Sequence, residues 1–501
     1  GHLDARERVA SLDAGAGLQR LSRAGLLRPV GPGRFAFRHP LLREALEALL
    51  PPSTRRALHA AALKATSGDS PAGRRRRAHH AAACGAHAEA AATFLALGEE
   101  ARRAHLSVEA EQHYTRALAL LPEGEVERRA RALAGRGRVR HRLQRFHEGL
   151  ADLAAARDLA ATRGDEALRV DLLLEEATAR DWMEDVEGSA ACTREALERM
   201  EPLDDPRLSL RCTLARGRLH VRQGEWSAAA RVLSSAVEGA ESAREHETLV
   251  VALALLGSAL TFLDRTEEAA ERFDEALAAC EKAGDALHLA ATHINRVLLW
   301  LRLGDVARME EDLRRAMALG RELGHAQVER WSTFNLAEVL YMRGRLEEAR
   351  PLARRAHELG VRFFREHPVP VDALLLARIG AALGDLAEAT RQLRWIETHC
   401  PPESLPPTAV MRRLVELQVR DAETQGAVGD ADAWHSLVRE ADACASADEK
   451  AEILLQAARG ALRAGQGPEA RQWLAQAELA VEGAPLWRPR LESLRESLGG
   501  L

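Results

Sequence analysis

Mostly small residues recur every 40 positions along much of this 501-residue chain, and this period limits the possible fold more than any other feature. Small side chains at fixed offsets predict helix backbones that approach closely, and repetition predicts the same approach in each unit. Stacked units of this kind bury one continuous core, as in a helical solenoid. Two further columns follow the first at fixed offsets, beginning at Gly149 and Ala156. The first column is Gly137, Ala177, Gly217, Gly257, Val297, Ala337 and Ala377.

The composition favours an almost entirely α-helical protein. Ala, Leu, Arg and Glu dominate and are strong helix formers, whereas aromatic residues make up only 4%. The six cysteines are scattered, without the paired spacing of a disulfide framework or a zinc site. No apolar run approaches the ~20 residues that cross a bilayer, and no signal peptide is visible. We therefore expect a cytoplasmic protein that makes no membrane contact.

The N-terminal segment differs from the repeats that follow. A helical stretch ends at Gly25, and two short apolar runs around Gly31-Pro32-Gly33 predict a β-hairpin. His39-Pro40 then opens a second helix. Helix, hairpin and helix together are the outline of a winged-helix unit. The predicted domains are a winged-helix-like unit over 1–66, irregular helical repeats over 67–124, a solenoid over 125–484 and a C-terminal capping helix over 485–501.

One stretch of the array resembles a known repeat. Asn335–Ala349 resembles the tetratricopeptide repeat (TPR), and Ala356 completes its pattern. That repeat is usually about 34 residues long, so the longer units of this chain predict longer helices. Such long units are similar to the sensor arms of maltose-regulator-like bacterial transcription regulators. The resemblance implies an all-α fold, a right-handed TPR-like superhelix of antiparallel helix pairs.

The N-terminal part carries a second resemblance. Phe37–Leu46 is similar to the winged-helix segment of STAND-type signalling ATPases, and Ala78–Leu118 resembles the arm that follows it. This implies the sensor region of a bacterial signal-transduction or transcription regulator, with an ATPase core N-terminal to it. In that family a Met-His-Asp motif touches the bound nucleotide. Arg38-His39-Pro40 stand at the matching positions, so His39 alone is a nucleotide-sensing candidate.

No pattern in the sequence predicts catalysis. The phosphate-binding pattern G-x-x-x-x-G-K-[ST] does not occur, and no nucleophile, base and orienting group stand out as a set. We expect neither enzymatic activity of this chain alone nor a cofactor. The adjacent His79 and His80 point to different sides of a helix, so we assign no metal ion to them.

Nucleic-acid binding is the alternative function. Basic residues are in excess only in the first third, and the formal net charge of the whole chain is −5. Arg20 and Arg23 lie on the outward side of the helical stretch that ends at Gly25 and are the nucleic-acid candidates. Because the whole chain is slightly acidic, we expect at most weak, salt-sensitive DNA binding.

A binding groove is the predicted functional site. Apolar residues stand three positions before the first small column in all seven repeats, on the face that usually lines the concave side of TPR arrays. Three aromatic residues on one helix would anchor a protein, peptide or small-molecule effector, and Arg378 would hold an acidic or C-terminal group. Burial of this face as ordinary core is the open alternative. The predicted groove residues are Ile294, Leu298, Leu301, Trp331, Phe334, Tyr341, Leu374 and Arg378.

Overall fold

Across the residues that the structure describes, the chain is all-α apart from one β-hairpin, as the sequence predicts. The described part of the chain contains 25 α-helices, which pack pairwise as TPR-like repeats. None of the described helices is both long and apolar enough to cross a bilayer. Two compact units are present, Gly1–Asp205 and Pro206–Leu501. The computed structural model describes residues 14–31, 34–68, 70–363, 368–401, 408–423 and 431–499.

The described part of the first unit opens with a helix, a hairpin and a second helix, in the predicted order. Strand β1 (Leu27–Gly31) pairs antiparallel with β2 (Arg34–Phe37), and Leu27 lies opposite Phe37. Pro32 and Gly33 of the predicted turn lie outside the described residues. The winged-helix assignment stays a prediction. The helices are α1 (Ala14–Arg23), α2 (Pro40–Leu49), α3 (Pro52–Ala65), α4 (Pro71–Cys84), α5 (His87–Arg103), α6 (Ser107–Leu120), α7 (Val126–Arg142), α8 (Phe146–Thr162), α9 (Glu166–Trp182) and α10 (Val186–Met200).

The second unit consists of helix pairs followed by one 3-10 turn, Pro485–Trp487, and a final helix. The right-handed superhelix and the bounds of the four predicted domains stay predictions. The helices are α11 (Pro206–Arg222), α12 (Trp226–Ala243), α13 (His246–Phe262), α14 (Thr266–Ala283), α15 (Ala286–Leu303), α16 (Val306–Leu323), α17 (Ala326–Met342), α18 (Leu346–Phe363), α19 (Pro370–Leu383), α20 (Leu386–His399), α21 (Ala409–Glu423), α22 (Ala431–Cys444), α23 (Ala447–Arg463), α24 (Gly467–Glu482) and α25 (Arg488–Gly499).

The period of the sequence is visible in the backbone itself. One residue in the left-handed region follows the first helix of each regular repeat, with φ between 57° and 80°. This conformation reverses the chain tightly and suits glycine, which has no Cβ to clash. The aspartates after three of these turns each accept a hydrogen bond from the backbone of the next helix. The left-handed residues are Gln144, Glu184, Gly224, Asp264, Gly304, Gly344 and Gly384.

The first column of small residues, which begins at Gly137, marks the positions where the two helices of a pair are in contact. A Cβ at Gly217 would lie 2.5 Å from the Leu233 side chain, and one at Gly257 would lie 2.9 Å from the Phe273 ring. In both cases the partner lies on the second helix of the same pair. Leu233 and Phe273 are fully buried in the core of the second unit. The column therefore exists because a large side chain must fit against a bare backbone.

Candidate functional site

The predicted groove residues divide into an interior set and a partly exposed set. Tyr341 is fully buried, and Leu374 and Arg378 are also buried. These three residues form part of the core, so the prediction that they line an open groove is corrected. The physical reason is that α17 and α19 are covered on this face by α23 and by residues near the C-terminus. The partly exposed residues, which stay predicted effector contacts, are Ile294, Leu298, Leu301, Trp331 and Phe334.

A buried polar cluster joins three helices at the covered face. The Tyr341 hydroxyl on α17 donates a hydrogen bond to the Glu452 carboxylate on α23. The Arg378 guanidinium on α19 donates to the same carboxylate, with its Nε 3.2 Å from an oxygen. Burial, and then the negative charge of Glu452, raise the pKa of Tyr341 to about 12. Arg378, the predicted carboxylate ligand, is thus already paired within the protein.

The C-terminal segment, defined as Pro485–Gly499, lies against this cluster. The Trp487 ring is fully buried, and its centroid lies 5.8 Å from that of Tyr341 in an edge-to-face contact. The Trp487 indole N–H donates to Asp448 at 3.2 Å. The Arg490 guanidinium lies 4.3 Å from the centroid of the Tyr341 ring. The segment is therefore packed on the face of α17 that carries the predicted groove residue Tyr341.

A cavity of about 270 Å³ remains between α25 and the helices α19, α21 and α23. None of the residues that line it is acidic. A second cavity, of about 240 Å³, lies where the same segment meets the α15–α16 turn, and Leu301 is on its wall. The first cavity is lined by Ala381, Ala382, Gly384, Leu386, Gln418, Ala422, Gln456, Arg459, Leu462, Arg463, Ser493, Leu494 and Ser497.

Two buried amides on the wall of the first cavity lack hydrogen-bond partners. Gln418 is 6% exposed and Gln456 is 4% exposed. Neither the Gln418 Oε1 atom nor the Gln456 Nε2 atom has a partner among the described residues. An unpaired buried polar atom costs about 1–3 kcal/mol. A ligand that offers both a donor and an acceptor would remove this cost.

The same region holds positive charge that no carboxylate balances. Arg459 and Arg463 line the cavity, and neither forms an ion pair within the described part of the chain. Burial, and then repulsion from Arg490, lower the pKa of Arg459. Both Nη atoms of Arg490 are buried without a hydrogen-bond partner among the described residues. Because guanidinium groups bind planar anions through paired N–H donors, this arrangement suits a carboxylate.

The N-terminal candidate residues lie at the surface. Arg20 and Arg23 are exposed on α1. His39 is exposed immediately before α2, and its side chain makes no capping hydrogen bond. Nucleic-acid binding by the two arginines and nucleotide sensing by His39 stay predictions.

Three histidine side chains lie together in the first unit, and one of them, His59, is not among the residues considered from the sequence. His79 and His80 lie on α4, and His59 on α3 packs against both of them. The prediction that no metal ion binds here rests on the adjacent pair His79 and His80 alone. In the structure the rings of His79 and His80 lie near each other, and His59 from the facing helix contacts both. The only signal in the sequence was a histidine on the preceding helix, and nothing in the sequence fixes the packing of α3 on α4.

No protein-family model and no curated relative matches the chain. Solved structures of similar fold include a Rap protein complexed with competence and sporulation factor, with a TM-score of 0.47 and 14% identity over 82% of this chain and 99% of that chain. Another is a STAND protein with a tetratricopeptide repeat sensor from Pyrococcus horikoshii, with a TM-score of 0.46 and 15% identity over 76% of this chain and 58% of that chain. A third is the apo quorum sensor NprR from B. thuringiensis, with a TM-score of 0.45 and 13% identity over 68% of this chain and 98% of that chain.

At these identities and TM-scores the likenesses carry no argument about function. The class of the protein follows from its own helix pairs, their turns and their regular period. The chain is a TPR-like, all-helical repeat protein.

Proposed function

We propose that this chain is a non-enzymatic, effector-binding protein and that the first cavity of the second unit is its binding site. The effector carries a carboxylate, either as the C-terminus of a peptide or protein or as part of a small organic acid. The observation that supports this most strongly is the wall of the cavity. It combines two unpaired buried amides with Arg459 and Arg463 and has no acidic residue.

The carboxylate would pair with the cavity arginines. A guanidinium offers two parallel N–H donors to the two oxygens, and this pairing is stronger in a half-buried site than in open water. Gln418 and Gln456 would bind the polar atoms next to the carboxylate. If the effector is a peptide, its preceding residues would contact partly exposed groove residues such as Trp331 and Phe334.

We also propose that the chain acts as the sensor region of a STAND-type signalling or transcription regulator in the bacterial cytoplasm. The support is the resemblance of Phe37–Leu46 and Ala78–Leu118 to that family. In a longer protein that contains the ATPase core, His39→Ala would change the rate of ADP release. An unchanged rate would remove His39 from this proposal.

A thermal-shift experiment with matched ligand pools tests the binding proposal. One pool contains pentapeptides with free C-terminal carboxylates, the second contains the same peptides as C-terminal amides, and the third contains succinate, citrate and glutamate. We expect a rise in Tm with the free-acid peptides or the small acids and none with the amides, because a ligand stabilises the state that binds it.

A rise in Tm with the free-acid peptides alone would indicate a peptide effector, and a rise with the small acids alone would indicate a small organic acid. Equal responses to acids and amides would contradict the proposed role of the arginines. Duplex DNA binding at physiological salt that is lost in the variant Arg20→Ala plus Arg23→Ala would instead favour the nucleic-acid alternative.

A further inference from the structure

Three histidine side chains converge in the first unit. His59 comes from α3, and His79 and His80 come from α4. The Nδ1 atoms of His59 and His80 are 3.0 Å apart. The ring centroid of His79 lies 5.6 Å from that of His59 and 5.6 Å from that of His80. One nitrogen from each of the three rings falls within 4.8 Å of the others.

This spacing is close to what a tetrahedral metal ion requires. Zn²⁺ binds histidine nitrogens at about 2.0–2.1 Å, which places two nitrogen ligands about 3.4 Å apart. The His59–His80 distance is slightly shorter than this, and His79 is free to approach because its side chain is exposed. Small rotations about the side-chain bonds would therefore bring three nitrogens onto one ion.

The surroundings favour neutral rings at His79 and His80 and leave a route for an ion. Burial, and then repulsion from His59, lower the pKa of both His79 and His80. The carboxylate of Glu47 on α2 adds negative charge nearby, partly offset by its ion pair with Arg43. His59 is 9% exposed whereas His79 is open to solvent, so the site has a buried end and an accessible end.

We propose that His59, His79 and His80 bind one divalent first-row transition-metal ion, with Zn²⁺ the best match. Imidazole nitrogens suit Zn²⁺, Cu²⁺, Ni²⁺ and Co²⁺ and do not suit Mg²⁺ or Ca²⁺, which prefer oxygen. Three protein nitrogens leave a fourth position for water or another ligand.

A bound ion would fasten α3 to α4. These helices are joined by a polar loop that begins at Thr66. The sequence places the boundary between the winged-helix-like unit and the first irregular repeat at this loop. The ion would thus stabilise the junction at which the N-terminal hairpin region meets the helical array. Its loss would not affect the proposed effector site, so the two proposals fail separately.

The test is titration of the metal-stripped, untagged full chain with Zn²⁺ in a calorimeter, alongside Co²⁺ followed by visible absorption. We expect one saturable site, the intense visible bands of Co²⁺ at low coordination number, and a Tm that rises with Zn²⁺. His79→Gln is the informative variant because its side chain is exposed and its loss should leave the fold intact. It should weaken Zn²⁺ affinity at least about 10-fold and abolish the rise in Tm.

His87→Gln is the matched control, since His87 is an exposed histidine at the start of the next helix. Its Zn²⁺ binding should equal that of the unmodified chain. Absence of a saturable site would overturn the proposal, and so would equal Zn²⁺ affinity in the His79→Gln and His87→Gln variants. Either result would mean that the histidines form only a hydrogen-bonded contact between α3 and α4.

Discussion

Single residues around the cavity of the second unit carry charge that the fold leaves unbalanced. Arg459 is partly buried, faces Arg490 and has no carboxylate partner among the described residues. A residue kept for binding often lowers stability in the absence of its ligand.

Arg459→Gln should therefore raise the free energy of unfolding of the ligand-free protein by about 0.5–2 kcal/mol. Chemical denaturation of the two proteins measures this difference. A loss of stability would show instead that Arg459 supports the fold, and it would weaken the case for a binding role.

His357 provides a pH-dependent test at the same scale. Its ring packs edge-to-face on Trp395 at 4.6 Å, and burial lowers its pKa to about 4. The unfolded chain has the ordinary value near 6.5, so it binds a proton more readily than the folded chain as the pH falls from 6.5 to 4. This contribution to stability is therefore complete above pH 6.5 and is lost towards pH 4.

Between pH 7 and pH 5 the unmodified chain should lose about 2 kcal/mol more stability than His357→Phe, because one pKa unit corresponds to about 1.4 kcal/mol. Urea unfolding at the two pH values gives the comparison. Parallel losses in both proteins would show that the ring is not held neutral by burial.

At the scale of helices, the close contact within each pair limits which side chains can replace the small residues of the first column. A Cβ at Gly257 would lie 2.9 Å from the Phe273 ring, so Gly257→Ala should destabilise the chain by about 1–2 kcal/mol. Gly460 on α23 is the control, because a Cβ added there would lie 3.5 Å from the nearest atom. Gly460→Ala should be neutral or stabilise by up to about 1 kcal/mol through better helix propensity. Thermal unfolding compares the two variants, and equal effects would show that the column does not mark a close contact.

Helix pairs and their turns could be predicted because their signals lie close together in sequence. The left-handed residues Gly304, Gly344 and Gly384 and the bare backbone at Gly257 each serve a contact within a single repeat. The constant period repeats those signals often enough for them to be recognised.

The composition of the site could not be predicted in the same way. Tyr341 is interior because it meets Glu452, 111 residues away. His59 matters because α3 packs on α4. Contacts between distant helices depend on how each repeat is rotated against the next, and the small columns do not encode this rotation. The predicted groove therefore included Tyr341, Leu374 and Arg378, which are core.

Considered as a whole, the second unit forms its proposed binding site from repeats and from its own C-terminal segment. Trp487 and Arg490 cover the Tyr341 cluster, while Ser493 and Ser497 form one wall of the cavity. Closure of the repeat array by this segment explains why Tyr341 is interior. Because the C-terminal segment forms one wall of the cavity, the cavity requires the intact second unit.

The most direct measurement is a calorimetric titration of the carboxylate ligand that gives the largest rise in Tm. The unmodified chain should bind one ligand, and Arg459→Gln should weaken its affinity about 10- to 100-fold, because a charge-assisted hydrogen bond contributes about 1.5–3 kcal/mol. Arg439→Gln, which changes an exposed arginine on α22, should bind like the unmodified chain. Equal affinities in Arg459→Gln and Arg439→Gln would contradict the assignment of the effector site to this cavity.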